Sequence, residues 1–117
     1  DSKKVKRVNI CTGKIYYDLL AKQQEDKRTD VAVVRLEQIY PMPETQMEAL
    51  FKKYPKAQFC WVQEEPKNMG AWMHILRYDW ARGFKEITRK SSASPATGYA
   101  AVHKKEQEAI IAEAFDV

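Results

Sequence analysis

Short runs of apolar residues alternate along the chain with stretches in which apolar residues recur every three or four positions. The runs predict β-strands at Val8–Cys11, Val31–Val34 and Gln58–Val62, with a weaker candidate at Glu86–Arg89. Val31–Val34 is apolar at both odd and even positions, which is typical of a strand covered on both faces in a parallel sheet.

The stretches between these runs predict amphipathic helices. Pro41 and Pro43 favour the start of the second helix, and Pro55 ends it. Because strand and helix alternate throughout, we expect an α/β fold with a mostly parallel sheet and helices on both of its faces. The predicted helices are one after Gly13 with Ile15 and Leu19, one with Met47, Leu50, Phe51 and Tyr54, one with Trp72, Ile75, Leu76 and Trp80 that ends near Gly83, and one from about Tyr99 to Phe115.

The composition is that of an ordinary globular protein, and we expect residues 1–117 to form a single domain. Hydrophobic residues make up 44% of the chain and charged residues 31%, which excludes a disordered tail. The apolar runs are too short to cross a bilayer and no signal peptide is visible, so membrane insertion and secretion are not predicted. The chain begins with Asp1 rather than Met, which we interpret as a fragment or a processed chain.

The charge and cysteine content narrow the function classes further. No basic face is interleaved with aromatic residues, so nucleic-acid binding is not predicted. Cys11 and Cys60 lie in apolar surroundings, and we predict two buried thiols in a reducing cytosol rather than a disulfide or a zinc site. The net charge of +4 comes partly from a basic N-terminal group that we interpret as solvating the fold: Lys3, Lys4, Lys6 and Arg7.

Polar clusters follow each of the four predicted strands. The carboxyl ends of parallel strands converge on one rim, where α/β proteins place ligands, and helix N-termini there add backbone N–H donors. Four basic residues among them predict an anion or phosphate site; the alternative is that these charges only solvate the rim. The clusters are Thr12–Lys14, Arg35–Gln38, Gln63–Asn68 and Arg89–Ser94, and the four basic residues are Lys14, Arg35, Lys67 and Arg89.

Glu64 and Glu65 are adjacent in an extended segment, so their side chains point in opposite directions and do not form an acid/base pair. We expect them to form salt bridges with Arg35 or Lys67 instead. The Gly13 turn lacks the further glycines of a dinucleotide or phosphate loop.

The two histidines give no catalytic constellation. His74 and His103 fall in predicted helices, and neither has a Ser, Cys or Asp at a spacing that indicates a triad. Glu106 follows His103 by three positions, so the two side chains can hydrogen-bond on one helix face. We therefore predict no catalytic residues in this chain.

Three ordered motifs resemble a known family. Together they are similar to the C-terminal domain of the decarboxylating component of 2-oxoglutarate dehydrogenase, over about Lys6 to Phe115. The first two motifs also occur loosely in transketolases and pyruvate dehydrogenases, and the third favours the 2-oxoglutarate enzyme. The motifs are Arg35–Pro41, Gln63–Trp72, and Ser91–Gly98 followed by His103 and Glu106.

This resemblance implies a three-layer sandwich with a mostly parallel sheet of about five strands, like the C-terminal domain of transketolase. It also implies a thiamine diphosphate- and Mg²⁺-dependent parent that decarboxylates 2-oxoglutarate and passes the succinyl group to the lipoyl arm of a succinyltransferase. The two domains that hold the cofactor would precede this one, so the chain alone is expected to be inactive. In relatives the domain supports a homodimer.

In some relatives the domain carries an effector site for AMP or acetyl-coenzyme A. The alternatives are a regulatory module that binds AMP or acetyl-coenzyme A, or a purely structural dimerisation module, in either case of a related 2-oxoacid (2-oxoadipate) dehydrogenase or a transketolase-like enzyme. A bacterial cytoplasm or a mitochondrial matrix is the expected location. The candidate effector residues are Arg35, Gln63, Lys67, Arg89 and Ser91, and the residues expected to shape the central loop are Glu64, Glu65, Pro66, Asn68 and Gly70.

Overall fold

The computed structural model describes residues 2–39, 42–89 and 100–117. Single 3₁₀ turns lie at Ser2–Lys4 and Asp79–Gly83. The strands and helices are β1 (Arg7–Cys11), α1 (Ile15–Glu25), β2 (Val31–Arg35), α2 (Glu44–Lys53), β3 (Gln58–Pro66), α3 (Trp72–Ile75), β4 (Lys85–Arg89) and α4 (Ala100–Ala114). No helix among these residues is long and apolar enough to cross a membrane.

The described strands form one parallel sheet in the order β2-β1-β3-β4. Arg7 aligns with Val31 on one side and with Gln58 on the other, so β1 is a central strand; β3 is also central because it pairs with β4 on its other side. All four predicted strands are confirmed, and the described part of the sheet has four strands rather than about five. β3 runs on to Pro66, beyond the expected end at Val62, with an irregular register against β4.

Helices cover both faces of the sheet, which confirms the predicted three layers. On one face of the sheet lie α1 and α4. On the other face lie α2, α3 and the 3₁₀ turn at Asp79–Gly83. The first buried cluster contains Cys11, Ile15, Leu19, Val31, Cys60, Val62, Ile87, Ile110, Ala114 and Phe115. The second contains Val8, Ile10, Leu36, Met47, Phe59, Trp61, Trp72, Ile75 and Ala81.

The helix expected from Trp72 to about Gly83 is divided into two short pieces. Tyr78 has an extended backbone with φ −93° and ψ 136°, which ends the helical hydrogen bonding. Its ring stacks on Trp80 with the centroids 5.3 Å apart, and Trp80 in turn contacts Phe51 and Phe84. Aromatic packing therefore overrides the helical periodicity in this segment.

Two polar side chains of β1 hold the end of α4. Nη1 of Arg7 donates to the carbonyl of Glu113 at 2.8 Å, and Nδ2 of Asn9 donates to that of Ala114 at 2.9 Å. The last carbonyls of a helix have no partner within it, and a cation there is favourable. The interpretation of Arg7 as a solvating residue was wrong, because it is only 7% exposed.

Both cysteines are buried free thiols, as predicted. Burial raises the pKa of Cys11 to about 12, because a thiolate loses its hydration in the core, and Arg35 offsets this in part. Burial also raises the pKa of Cys60. Since the thiolate is the nucleophile, neither side chain suits covalent catalysis near neutral pH.

Candidate functional site at the carboxyl-end rim

Gln63 organises the loop between β3 and α3. Its side chain is buried, and its Oε1 accepts hydrogen bonds from the indole of Trp61 at 2.9 Å and from the backbone N–H of Trp72 at 3.0 Å. Its Nε2 donates to the carbonyls of Pro66 at 2.9 Å and Met69 at 2.8 Å. Both ends of the carboxamide are thus used within the protein, so Gln63 fixes the loop shape.

Gly70 suits this loop because a side chain at this position would be strained. Its φ is +68°, a left-handed conformation that glycine adopts without strain. A Cβ at this position would lie 2.9 Å from Oε2 of Glu65 and 3.2 Å from Oε1 of Gln63. The loop therefore closes tightly over the end of β3.

A second anchor ties the loop to β4. Nζ of Lys67 lies 2.8 Å from Oε1 of Glu86, and the indole N–H of Trp72 donates to the other oxygen of the same carboxylate. The backbone N–H of Lys67 also donates to the carbonyl of Arg89 at 2.8 Å. Lys67 therefore faces the β4 side of the rim.

Glu64 joins β3 to the start of α1. Its Oε1 lies 2.6 Å from Nζ of Lys14, and the Glu64 side chain is only 16% exposed. This hydrogen bond and the charge of Glu64 raise the pKa of Lys14. The expectation that Glu64 or Glu65 pairs with Arg35 or Lys67 was wrong for Glu64, since the topology places the β1 end next to β3.

Glu65 has a different environment from its neighbour. Its pKa is raised, chiefly because partial burial disfavours the carboxylate, and the charge of Glu64 adds to the effect. Its backbone N–H acts in the opposite direction. Glu64 is thus held by a salt bridge with Lys14, whereas partial burial is the main influence on the carboxyl group of Glu65.

Arg89 is buried against α4. Its Nη1 lies 2.9 Å from Nδ1 of His103, its Nη2 donates to Oε1 of Gln107 at 3.0 Å, and Glu106 Oε2 lies 3.5 Å away. Because a guanidinium can only donate, Nδ1 of His103 must accept, which places the proton of the neutral ring on Nε2. His103 and Glu106 are thus joined through Arg89 rather than directly as expected.

Arg35 lies at the other edge of the rim, on β2. Its Nη1 donates to the hydroxyl of Tyr17 at 3.1 Å, and its guanidinium lies 5.9 Å and 5.6 Å from the ring centroids of Tyr16 and Tyr17. These contacts hold the cation in place beside a groove of about 510 Å³. The groove is lined by Arg35, Glu37, Gln38, Pro43 and Gln46.

The structure separates the candidate effector residues into two groups. Gln63, Lys67 and Arg89 lie at the β3 and β4 ends, whereas Arg35 is three strand spacings from β4, about 14 Å across the sheet. Ser91 lies outside the described residues. Sequence reasoning missed the two tyrosines and the α2 residues beside Arg35, although α2 directly follows the β2 end along the chain.

The described residues contain no group of three or more His, Cys, Asp or Glu side chains arranged to hold a metal ion. Glu64 is paired with a lysine and Arg89 is engaged by α4, so these charges serve the fold. The rim therefore offers a rigid loop on one side and a polar groove with a positioned guanidinium on the other.

Comparison with known proteins places this rim in context. A family profile described as "2-oxoglutarate dehydrogenase C-terminal" matches residues 1–115. The chain is 44% identical over 124 residues to the "2-oxoglutarate dehydrogenase E1 component" of Rickettsia typhi, which covers 98% of this chain and 13% of that protein. The corresponding protein of Cupriavidus necator is 45% identical over 121 residues, with the same two coverages of 98% and 13%.

Similarity extends to a relative that bears a different name. The "Multifunctional 2-oxoglutarate metabolism enzyme" of Mycolicibacterium vanbaalenii is 41% identical over 122 residues, covering 98% of this chain and 10% of that protein. In each of these comparisons the chain spans 13% or less of its relative's length. The similarity therefore concerns one part of a much longer polypeptide.

Proposed function

Because this chain belongs to the 2-oxoglutarate dehydrogenase C-terminal family, we propose that it serves a larger enzyme that decarboxylates 2-oxoglutarate and transfers the succinyl group to a lipoyl arm. The match over residues 1–115 carries this proposal. Thiamine diphosphate would supply the carbanion-stabilising chemistry, and Mg²⁺ would hold its diphosphate. We assign both groups to the preceding domains of the parent; for Mg²⁺, the assignment is supported by the described residues, which contain no group of three or more His, Cys, Asp or Glu side chains arranged to hold a metal ion.

Within that enzyme the chain acts as a rigid wall beside the chemistry. Support comes from the β3–α3 loop, whose shape is fixed by Gln63, Gly70 and the Lys67–Glu86 pair. A loop fixed on both sides can present a constant surface to a neighbouring domain or subunit. We assign the preceding domains, a second copy of the parent and the succinyltransferase as partners, in a bacterial cytoplasm or a mitochondrial matrix.

The activity proposal is tested by comparing this chain with the longer polypeptide that contains it. With 2-oxoglutarate, thiamine diphosphate and Mg²⁺, the longer polypeptide is expected to release carbon dioxide and this chain is not. Replacing 2-oxoglutarate with 2-oxoadipate distinguishes the alternative substrate. Turnover by this chain alone would contradict the assignment of the cofactors to other domains.

The dimerisation role has its own measurement. Sedimentation of this chain and of the longer polypeptide gives the mass of each in solution. A dimer of the longer polypeptide supports the role, and a dimer of this chain would place the main interface within it. A monomeric parent would refute the role.

A second candidate function is an effector site for AMP or acetyl-coenzyme A, favoured by the groove beside Arg35. A guanidinium suits a phosphate because its N–H groups match two phosphate oxygens. Glu37, also in the groove, repels a dianion and would lower the affinity. In this proposal Arg35 contacts the ligand, Gln63, Lys67 and Arg89 hold the rest of the rim in shape, and Ser91 lies outside the described residues.

The effector proposal is tested by thermal melting with each ligand. A ligand at 100 times its dissociation constant stabilises the folded state by about 2.7 kcal/mol, which is a readily measured shift. Arg35→Ala should abolish the shift, while Arg77→Ala, which removes the same charge from an exposed position outside the groove, should preserve it. Equal losses in both variants would indicate nonspecific charge attraction.

A further inference from the structure

The amino-terminal edge of the sheet, opposite the rim, gathers lysines that are far apart in the sequence. We call these five residues the lysine patch: Lys4, Lys6, Lys52, Lys53 and Lys56. All five side chains are exposed. The two segments that supply them, residues 2–8 and 49–57, contain no Asp or Glu.

The topology brings the two segments together. β1 and β3 are neighbours with Arg7 opposite Gln58, and the backbone N–H of Gln58 donates to the carbonyl of Lys6 at 2.9 Å. Val5, Phe51, Tyr54 and Ala57 pack against the same buried cluster, so each of the five lysines is next to a residue that is held by the core. The patch is therefore a defined surface rather than a mobile tail.

In the described part of the chain, none of these five lysines forms an ion pair with a carboxylate. The acid beside Lys6 is Asp30, and its two oxygens already accept hydrogen bonds from Arg28 at 2.8 and 3.0 Å. Lys52 and Lys53 lie in the last turn of α2, where they complement the helix dipole. That local role does not account for Lys4, Lys6 and Lys56, which lie outside any α-helix.

We propose that the lysine patch binds an acidic segment of a partner protein, rich in Asp and Glu. Ammonium groups attract carboxylates as flexible point charges, which suits an extended acidic segment without a fixed geometry. This proposal does not depend on the function proposed for the rim. The two surfaces lie at opposite ends of the strands, so both can be occupied at once.

The surroundings of the patch favour this partner over nucleic acid. The nearby arginines are engaged, because Arg7 is buried against α4 and Arg28 is paired with Asp30. Tyr54 is partly buried against the second core cluster and Nζ of Lys53 lies 5.4 Å from its ring centroid, which limits the ring surface on which a base could stack. Lysines also bind phosphates, but base readout uses bidentate side chains and single-strand binding uses stacking rings, so the patch lacks the groups that would add to simple charge attraction for nucleic acid.

The surroundings also disfavour a lipid surface. A peripheral membrane site combines basic residues with large apolar side chains that enter the headgroup region. The exposed large apolar residues of the described chain are Tyr17, Met73, Leu76 and Val117, and none lies in the two segments of the patch. The patch can therefore attract anionic groups without anchoring in lipid.

The test uses a fluorescent peptide of about ten glutamates, titrated with the chain in low salt, where surface charges are least screened. The double variant Lys52→Glu/Lys53→Glu should weaken binding by about tenfold or more. The matched control is Lys104→Glu/Lys105→Glu, which makes the same charge change at an exposed adjacent pair on α4 and should change binding far less. Circular dichroism verifies the fold, and Lys56→Glu, in a loop, provides a second patch variant.

Three results would overturn the proposal. Equal weakening by the patch and control variants would show that only the net charge matters. Tighter binding of an oligothymidylate or of phosphatidylserine vesicles than of the glutamate peptide would assign the patch to nucleic acid or lipid. Absence of peptide binding in low salt would leave the lysines as a solvated surface.

Discussion

Oε1 of Gln63 accepts a hydrogen bond from the backbone N–H of Trp72 at 3.0 Å, which fixes the start of α3 to the end of β3. The first N–H groups of a helix have no partner within it, so a buried side-chain oxygen supplies one here. The same oxygen accepts from the indole of Trp61. One carboxamide thus joins the strand, the loop and the helix that form the rim.

The first prediction concerns this carboxamide. Gln63→Leu should lower the free energy of unfolding by about 3 kcal/mol or more, because several buried donors and acceptors lose their partner at once. Gln46→Leu, at an exposed position of α2, is the control and should change stability by less than about 0.5 kcal/mol. Urea unfolding measures both. A similar small change in the two variants would show that water replaces the carboxamide at no cost.

The second prediction compares two glycines. Gly70→Ala should destabilise the protein by about 1–3 kcal/mol, because the residue has a φ of +68° and the new Cβ would clash with Glu65. Gly83→Ala is the control, since a Cβ there meets nothing within 4 Å. Thermal melting of the two variants measures whether Gly70→Ala lowers the melting temperature more than Gly83→Ala does. Equal melting temperatures would mean that the loop readily adopts another conformation.

The sequence predicted the strands and layers well because runs and repeats of apolar residues mark the segments that pack together. Val31–Val34 is apolar at every position and forms β2, but this strand lies at the edge of the described sheet and only Val31 is fully buried, so the expected cover on both faces is incomplete. Periodicity failed after Trp72, where the extended backbone of Tyr78 and its stacking on Trp80 divide the expected helix. Ring packing between residues two positions apart leaves no helical signature in a sequence.

The composition of the rim was predicted, but not its pairings. Basic residues at strand ends were correctly assigned to one rim, yet which carboxylate each one meets depends on strand order. Lys14 meets Glu64 because β1 and β3 are neighbours, and Arg89 meets α4 because that helix covers β4. Strand order cannot be obtained from the local pattern of one sequence, so these contacts needed the structure.

The third prediction addresses the buried arginine. Arg89→Ala should destabilise the protein by about 2–4 kcal/mol, because His103 and Gln107 lose a charged hydrogen-bond donor that ties α4 to β4. Arg82→Ala is the control, because its ion pair with Asp79 is exposed and contributes little. Urea unfolding gives both free energies. A neutral Arg89→Ala would show that these bonds only offset the cost of burying the guanidinium.

The last prediction is the alkaline dependence of stability caused by Cys11. Its folded pKa is raised to about 12 from 9.0, so between these values the unfolded thiol loses its proton while the folded one keeps it. Ionisation then favours the unfolded state, and stability falls as pH rises through this window. At pH 10, one unit above the unfolded pKa, the loss attributable to Cys11 is about 1.4 kcal/mol relative to pH 8.

Comparison with Cys11→Ala separates this loss from the titration of lysines and tyrosines. The variant is expected to be less stable at pH 8 because it leaves a small cavity, but its stability should fall less between pH 8 and pH 10. Urea unfolding of both proteins at pH 8 and pH 10 measures how far the free energy of unfolding of each one falls. Identical falls in both proteins would show that Cys11 ionises as readily in the folded state as in the unfolded one.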